Sequence, residues 1–423
     1  MRDAFCGLML LLGVLGAADV RAAGLPPAPS PDQRAAIAAK LYSDIRIYYA
    51  HWQNIDGLDL DAAFGTYLAA AMNATDRLDY DLQTMAFLAK FNNGLTRFSD
   101  QWLLDAYPAL PFSVRRVAED WVVTKSNVDA LKPGDVIAQV DGTPTEAFYQ
   151  AHARYLSGTQ DEVKRNQLFS TPVLFPSPLS LGLAGGQTVA IEPGGAPPAP
   201  APETSGKWLK PDEVALIAIP SFATPQFETR ALELLKEYGA ATTLVLDLRG
   251  NGGGAMPTAL LAALMNKPYR GWAESVAFTI GHLRLQSPNR VIPAEAAEHP
   301  TLTLPPITTQ PAAAAYARQL ILLIDGGCVA ACEDFVMPFK DNGRATLIGE
   351  PTAGGAGAAY VETLGDGMSA SIGSTRLAWP SGASLEGIGI APDVAVAPRV
   401  ADIKAGLDPI MAKVLIQIAP SAP

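Results

Sequence analysis

Two glycine-rich turns hold the residue types that could do chemistry. The first is Arg249-Gly250-Asn251-Gly252-Gly253-Gly254, between the apolar run LVLDL and the helix pattern MPTALLAALM. Such a turn bares backbone N–H groups where a helix begins, which suits an anion. That anion could be a cofactor pyrophosphate or the oxyanion of an acyl-transfer intermediate. The glycines are not spaced G-x-G-x-x-G and no acidic residue closes a second strand nearby, which argues against a dinucleotide. A purely structural tight turn remains as the plain alternative.

The second turn lies within Leu320 to Gly357. There LILLID breaks at Gly326-Gly327 and CVAACEDFVMPFKDN continues as a helix pattern, with Glu333 and Asp334 in its first turn. Strand, sharp turn and helix is how many hydrolases expose a nucleophile. Residues 328 to 333 read Cys-Val-Ala-Ala-Cys-Glu, so no serine stands there. The two thiols are the remaining nucleophiles. Cys332 falls about 200° round a helix from Ala330 at ~3.6 residues per turn, and so faces the core. Cys328 sits in the turn, where it could be exposed, but no base lies near it in sequence. The pair are two buried thiols or, if Cys328 precedes the first helical turn, a disulfide.

The four histidines, His51, His152, His282 and His299, stand in no H-E-x-x-H and beside no zinc-spaced cysteines. No metal or cofactor is expected. His51, in YYAHWQN, reads as a residue packed in a helical face and not as a base.

The elements that must position these turns follow from the hydrophobic pattern. Residues 33 to 90 carry three runs with apolar residues three and four apart, a helical subdomain placed at 26–105. Residues 106–195 read as strands and turns, with a tight turn at Asp141-Gly142. PGGAPPAPAPETSG is Pro-rich, which places a linker at 196–208. From 209 to 423 strands alternate with helices, the pattern of an α/β core with covered sheet faces.

At 423 residues, with 49 % hydrophobic and 17 % charged residues, the chain is globular and large enough for two or three domains. A net charge of −11 argues against nucleic acid and anionic membranes as partners. Arg2, the run AFCGLMLLLGVLGAA and the Val20-Arg21-Ala22 site form a signal peptide over 1–22, so the protein is expected to be exported, periplasmic or secreted. No stable membrane insertion is expected after its removal.

LVLDLRGNGGG, ACEDFVMPFKDNGRATLIGEPTAGG and LEGIGIAPDVAV, in that order, resemble the C-terminal processing (tail-specific) serine proteases. The site layout is closest to the branch of the tricorn core and the interphotoreceptor retinoid-binding repeats. The resemblance implies a ClpP/crotonase-like α/β core with a parallel-rich sheet. It also implies that LKPGDVIAQVDGTP belongs to a PDZ-like module and 33–105 to the family's helical N-terminal piece. Carried over by residue, the serine position is Ala330 and the tricorn-type histidine position is Leu95, in FNNGLTRF. The lysine position of the bacterial branch is Gly355. Glu386 matches the acidic partner, and the oxyanion donors are the N–H groups of Ala331 and of Gly252 or Gly253.

An alanine at the nucleophile position cannot form an acyl-enzyme. The expected function is therefore binding of peptides or protein C-termini without cleavage, by strand addition to the PDZ-like module. An active endopeptidase is the alternative, using Cys328 or a serine such as Ser381 or Ser384 near Glu386. A binder of small apolar ligands is the third possibility.

Overall fold

Three capped helices open the chain. In α1 (Pro31–Tyr48) the Ser30 hydroxyl accepts from Gln33 N while the Gln33 side chain accepts from Ser30 N, a reciprocal box that satisfies two otherwise unpaired donors. Asp59 caps α2 (Leu60–Asn73) by accepting from Ala62 N, and Asp76 caps α3 (Arg77–Ala89) by accepting from Asp79 N. The computed structural model describes residues 25–192, 196–198, 203–278 and 301–418. The segment read as a signal peptide, His282 and His299 lie outside them.

The inward faces of these helices bury Ile37, Leu41, Ile45, Tyr67, Phe87 and Leu88. Burying each such side chain contributes roughly 1.5–3 kcal/mol. The core is not closed by the helices alone. Strand β1 (Arg97–Asp100) follows α3, and its sheet is completed from far along the chain, as described below. Beneath it Arg77 Nε donates to Asp100 at 2.7 Å, a fully buried pair.

Residues 112–191 form a separate cluster around Phe112, Trp121, Val123, Ile137, Tyr149 and Leu181. Its strands are β2 (Phe112–Val117), β3 (Asp120–Ser126), β4 (Ile137–Val140), β5 (Leu179–Leu183) and β6 (Thr188–Ile191), with α4 (Thr145–His152) after the Asp141-Gly142 turn. β2 pairs with β3, and β4, β5 and β6 form an antiparallel ladder.

The last unit is built on a six-stranded sheet. Its strands are β7 (Ser205–Lys210), β8 (Val214–Ala218), β9 (Thr243–Asp247), β10 (Gln319–Ile324), β11 (Thr346–Gly349) and β14 (Val394–Ala395). The spatial order is β14-β11-β10-β9-β8-β7, parallel throughout except for β7, which runs antiparallel on β8. Both faces are covered, which is why LVLDL and LILLI are continuously apolar. β7 begins inside the stretch expected to be linker: Ser205 to Trp208 pair with β8, because an edge strand needs only one apolar face and Trp208 packs on the core.

Between β11 and β14 the chain leaves the sheet as the hairpin β12 (Ala359–Gly365) and β13 (Met368–Gly373). β13 pairs antiparallel with β1, and its Met368, Ala370 and Ile372 enter the core of the N-terminal helices. This pairing ties the beginning of the chain to the region of Glu386.

Candidate active site

The turn after β9 is held by its own side chains. Asn251 is fully buried, donates from Nδ2 to the carbonyl of Ile219 at 2.9 Å and accepts the N–H of Gly253 at 2.9 Å. Gly253 has φ +82°, and a Cβ there would lie 2.7 Å from the Val329 carbonyl and 3.0 Å from both Ala330 Cβ and Ala331 N. Glycine is required because the two turns touch at that point. They are joined further by Val329 N to the Asn251 carbonyl and by Asp325, which accepts from Gly250 N and Gly327 N.

Ala330 is the residue before α5 (Ala331–Asp341), with φ 56° and ψ −125°. A non-glycine residue there costs on the order of 1–3 kcal/mol and persists only where the surroundings impose it. The surroundings here are a Cys328–Cys332 disulfide bracketing the residue, and Gly253 pressing on it. Cys328 lies ahead of the first helical turn, the condition under which a bridge was expected. It is not exposed as the sequence suggested, since both half-cystines are fully buried. A Cys328-based nucleophile therefore has no free thiol in this structure.

Among the described residues the N–H groups of Gly252 and Ala331 have no acceptor, whereas that of Gly253 is directed at Asn251. The donor choice left open in the sequence thus narrows to Gly252 with Ala331. These are the groups that could receive an oxyanion.

Glu333, three residues after Ala330, is fully buried. It accepts from the Thr352 hydroxyl at 2.5 Å, Gly354 N at 2.7 Å and Gly355 N at 2.8 Å. Burial outweighs these donors and pushes its carboxyl up to about 7. The loop it clamps also holds the segment carrying Glu386: Gly387 N donates to the Gly354 carbonyl, and Ile390 N to the Thr352 hydroxyl. Gly355, at the lysine position of the bacterial branch, contributes only its backbone.

Glu386 accepts from Asn93 Nδ2 at 2.5 Å and from the Thr159 hydroxyl at 3.3 Å, and its other oxygen meets Nδ1 of His51. Burial raises this carboxyl, but the bonds from His51, Asn93 and Asn54 hold it below the ordinary carboxylate range. The partner of Glu386 is therefore His51 and not residue 95. Leu95 is half-buried, with Cδ1 3.6 Å from where a Cβ on Gly357 would stand.

His51 does not pack in a helical face. It lies beyond the end of α1, where Ala50 N donates to the Gly373 carbonyl and hands the histidine across to the end of β13. Gly373 permits the approach, since a Cβ there would meet Asn93 Oδ1 at 2.4 Å and His51 Cδ2 at 3.1 Å. The ring is 1 % exposed and its Nε2 has no hydrogen-bond partner among the described residues. Sequence reasoning missed this residue because its partner comes from the other end of the chain. Only the aromatic flank Tyr48-Tyr49 and Trp52 hinted at burial. Ser381 and Ser384 are both exposed, on the loop before Glu386.

The structure thus brings together two unpartnered backbone N–H groups, a strained residue at a helix start and a carboxylate–imidazole pair, with a methyl group at residue 330. Residues 213–396 match the model of Peptidase family S41. The chain is 26 % identical over 280 residues to the chloroplastic C-terminal processing peptidase of Tetradesmus obliquus, covering 64 % of this chain and 54 % of that protein. It is 27 % identical over 189 residues to the chloroplastic carboxyl-terminal-processing peptidase 3 of Arabidopsis thaliana, covering 45 % of this chain and 32 % of that one. The chain thus spans about a third to about half the length of these two relatives. In fold it is similar to mature CPAF, solved with lactacystin, with a TM-score of 0.68, 15 % identity and coverage of 92 % and 97 % of the two chains. It is also similar to the photosystem II D1 C-terminal processing protease, with a TM-score of 0.53, 20 % identity and coverage of 88 % and 94 %. The chain carries a peptidase family S41 domain and is a homologue of the C-terminal processing peptidases.

Proposed function

We propose that this protein engages peptides or protein C-termini at an S41-type site and does not cut them. The observation that carries this reading is Ala330, which has the backbone conformation of a nucleophile and no atom with which to attack. Without the nucleophile, only ~10³–10⁴-fold acceleration over water is available from the oxyanion donors and binding. Residues 112–191, with their PDZ-like motif, are the module expected to take an extended chain. The buried disulfide supports residence in an oxidising, exported compartment. No described helix is long and apolar enough to cross a membrane.

The test is to treat the folded mature protein with a fluorophosphonate probe and with a set of fluorescent peptides. No adduct and no turnover are expected, together with saturable peptide binding. An adduct on any serine, or turnover by the unaltered protein, would sink the reading.

A further inference from the structure

One face of the small sheet β1-β13-β12 is polar in a regular way. The register places Arg97 opposite Ser371 and Ser371 opposite Val361, with Ser99 opposite Ser369 in the neighbouring row. Residues two apart on a strand share a face, so these side chains form one array, while Phe98 and Ala370 point into the helical core. The array floors a cleft of about 520 Å³ whose other wall comes from Tyr155–Ser157 and Gln167–Thr171.

Arg97 is the one charged residue in the described lining of this cleft. Several other arginines of the N-terminal half are neutralised, with Arg77 on Asp100, Arg115 on Glu350, Arg116 on Glu162 and Arg165 on Glu146. Arg97 is exposed and makes no ion pair among the described residues. In a chain of net charge −11, an unpaired guanidinium amid hydroxyl groups marks a place for an anion.

The shape says which anion. Leu104 and Val361 line the same cleft while 59 % and 62 % exposed, so an occupant would find apolar contact beside the charge. A second cleft of about 420 Å³ shares Leu104 and Ser170 and continues past Leu110, Phe112 and Pro172. A groove that runs from a cation into apolar surface fits an extended chain that ends in a carboxylate. Its charged end also adjoins the candidate active site: the Ser371 hydroxyl donates to the Leu95 carbonyl at 2.6 Å, and Gly373, two residues further along, is the point where Asn93 and His51 pack.

We propose that the cleft between the β1-β13-β12 sheet and residues 155–171 is a docking site for the C-terminus of a peptide, with Arg97 receiving the terminal carboxylate and Leu104 and Val361 taking its apolar side chains. This rests on the reading of the chain as a peptide binder and assigns where the carboxylate goes.

The experiment is fluorescence anisotropy with a labelled, unstructured peptide ending in leucine, as the free acid and as the C-terminal amide. The full mature chain and its Arg97→Gln variant are compared, with circular dichroism confirming the fold. Losing one charge-assisted contact predicts that amidation weakens binding to the unaltered protein by about tenfold or more. Arg97→Gln should lose the same factor for the free acid and nothing further for the amide. Free-acid binding that is indifferent to Arg97→Gln would overturn the docking site while leaving peptide binding intact. Failure of the unaltered protein to bind either peptide would overturn both.

Discussion

Nδ1 of His51 meets Oε2 of Glu386 across 335 residues of chain. The pair is shielded, with side chains 1 % and 7 % exposed, and its free end is the imidazole Nε2. A general base contributes typically 10²–10⁴-fold where a nucleophile is present for it to serve.

Ala330→Ser is therefore expected to gain hydrolysis of a peptide ester, and adding His51→Ala to remove about 10²-fold or more of that gain. Initial rates on purified variants measure both. If Ala330→Ser stays inert and only Ala330→Ser with Leu95→His cuts, the proton acceptor belongs at residue 95 and the assignment to His51 is wrong.

Glu333 makes stability depend on pH in a defined direction. Its carboxyl sits at about 7 when folded against 4.5 ordinarily. Below pH 4.5 both states are protonated and no penalty exists. Between pH 4.5 and 7 the unfolded chain ionises first, so stability falls by about 3 kcal/mol and then levels off. Glu333→Gln should abolish this slope. It also turns an amide NH2 toward one of three donors, which costs roughly 1–3 kcal/mol. The variant should thus be less stable than the parent at pH 5, with a gap that narrows by pH 8 in urea titrations. A gap that widens with pH would contradict the assignment.

The two glycines offered as oxyanion donors should respond differently to a methyl group. At Gly253 the positive φ and the 2.7 Å approach to the Val329 carbonyl predict that Gly253→Ala costs roughly 2 kcal/mol or more. A Cβ at Gly252 meets nothing within 4 Å, so Gly252→Ala should change the melting temperature little. Equal losses in differential scanning calorimetry would contradict the described contact between the turns.

Because Cys328 and Cys332 are both fully buried, dithiothreitol should leave the native protein oxidised. Alkylation followed by mass spectrometry should find modified cysteines only after denaturation. Replacing both with alanine is expected to cost roughly 2 kcal/mol, the value for so short a loop. Rapid labelling of the native protein would show that the turn opens.

Much of the α/β core was legible in the sequence. Short, continuous apolar runs such as LILLI, bounded by turn residues, fit strands covered on both faces, and Gly326-Gly327 marked where one of them breaks. Glu333 and Asp334 in the first turn marked where α5 begins. The pairing of β13 with β1 was not legible, since nothing in FSD or SASI names a partner so far away. His51 was missed for the same reason. Its neighbours in sequence are aromatic packing residues, while its role depends on Glu386. The disulfide could be stated only as a condition on where the helix starts, which the backbone at Ala330 then met.

The strand β1 joins the N-terminal helices to a hairpin that departs from the middle of the family S41 segment. A fragment cut to that segment would keep the six-stranded sheet but leave Met368, Ala370 and Ile372 facing water. It would also lose His51 and Asn93, both partners of Glu386 from the front of the chain. The boundary that sequence similarity draws is therefore not one along which this molecule can be divided.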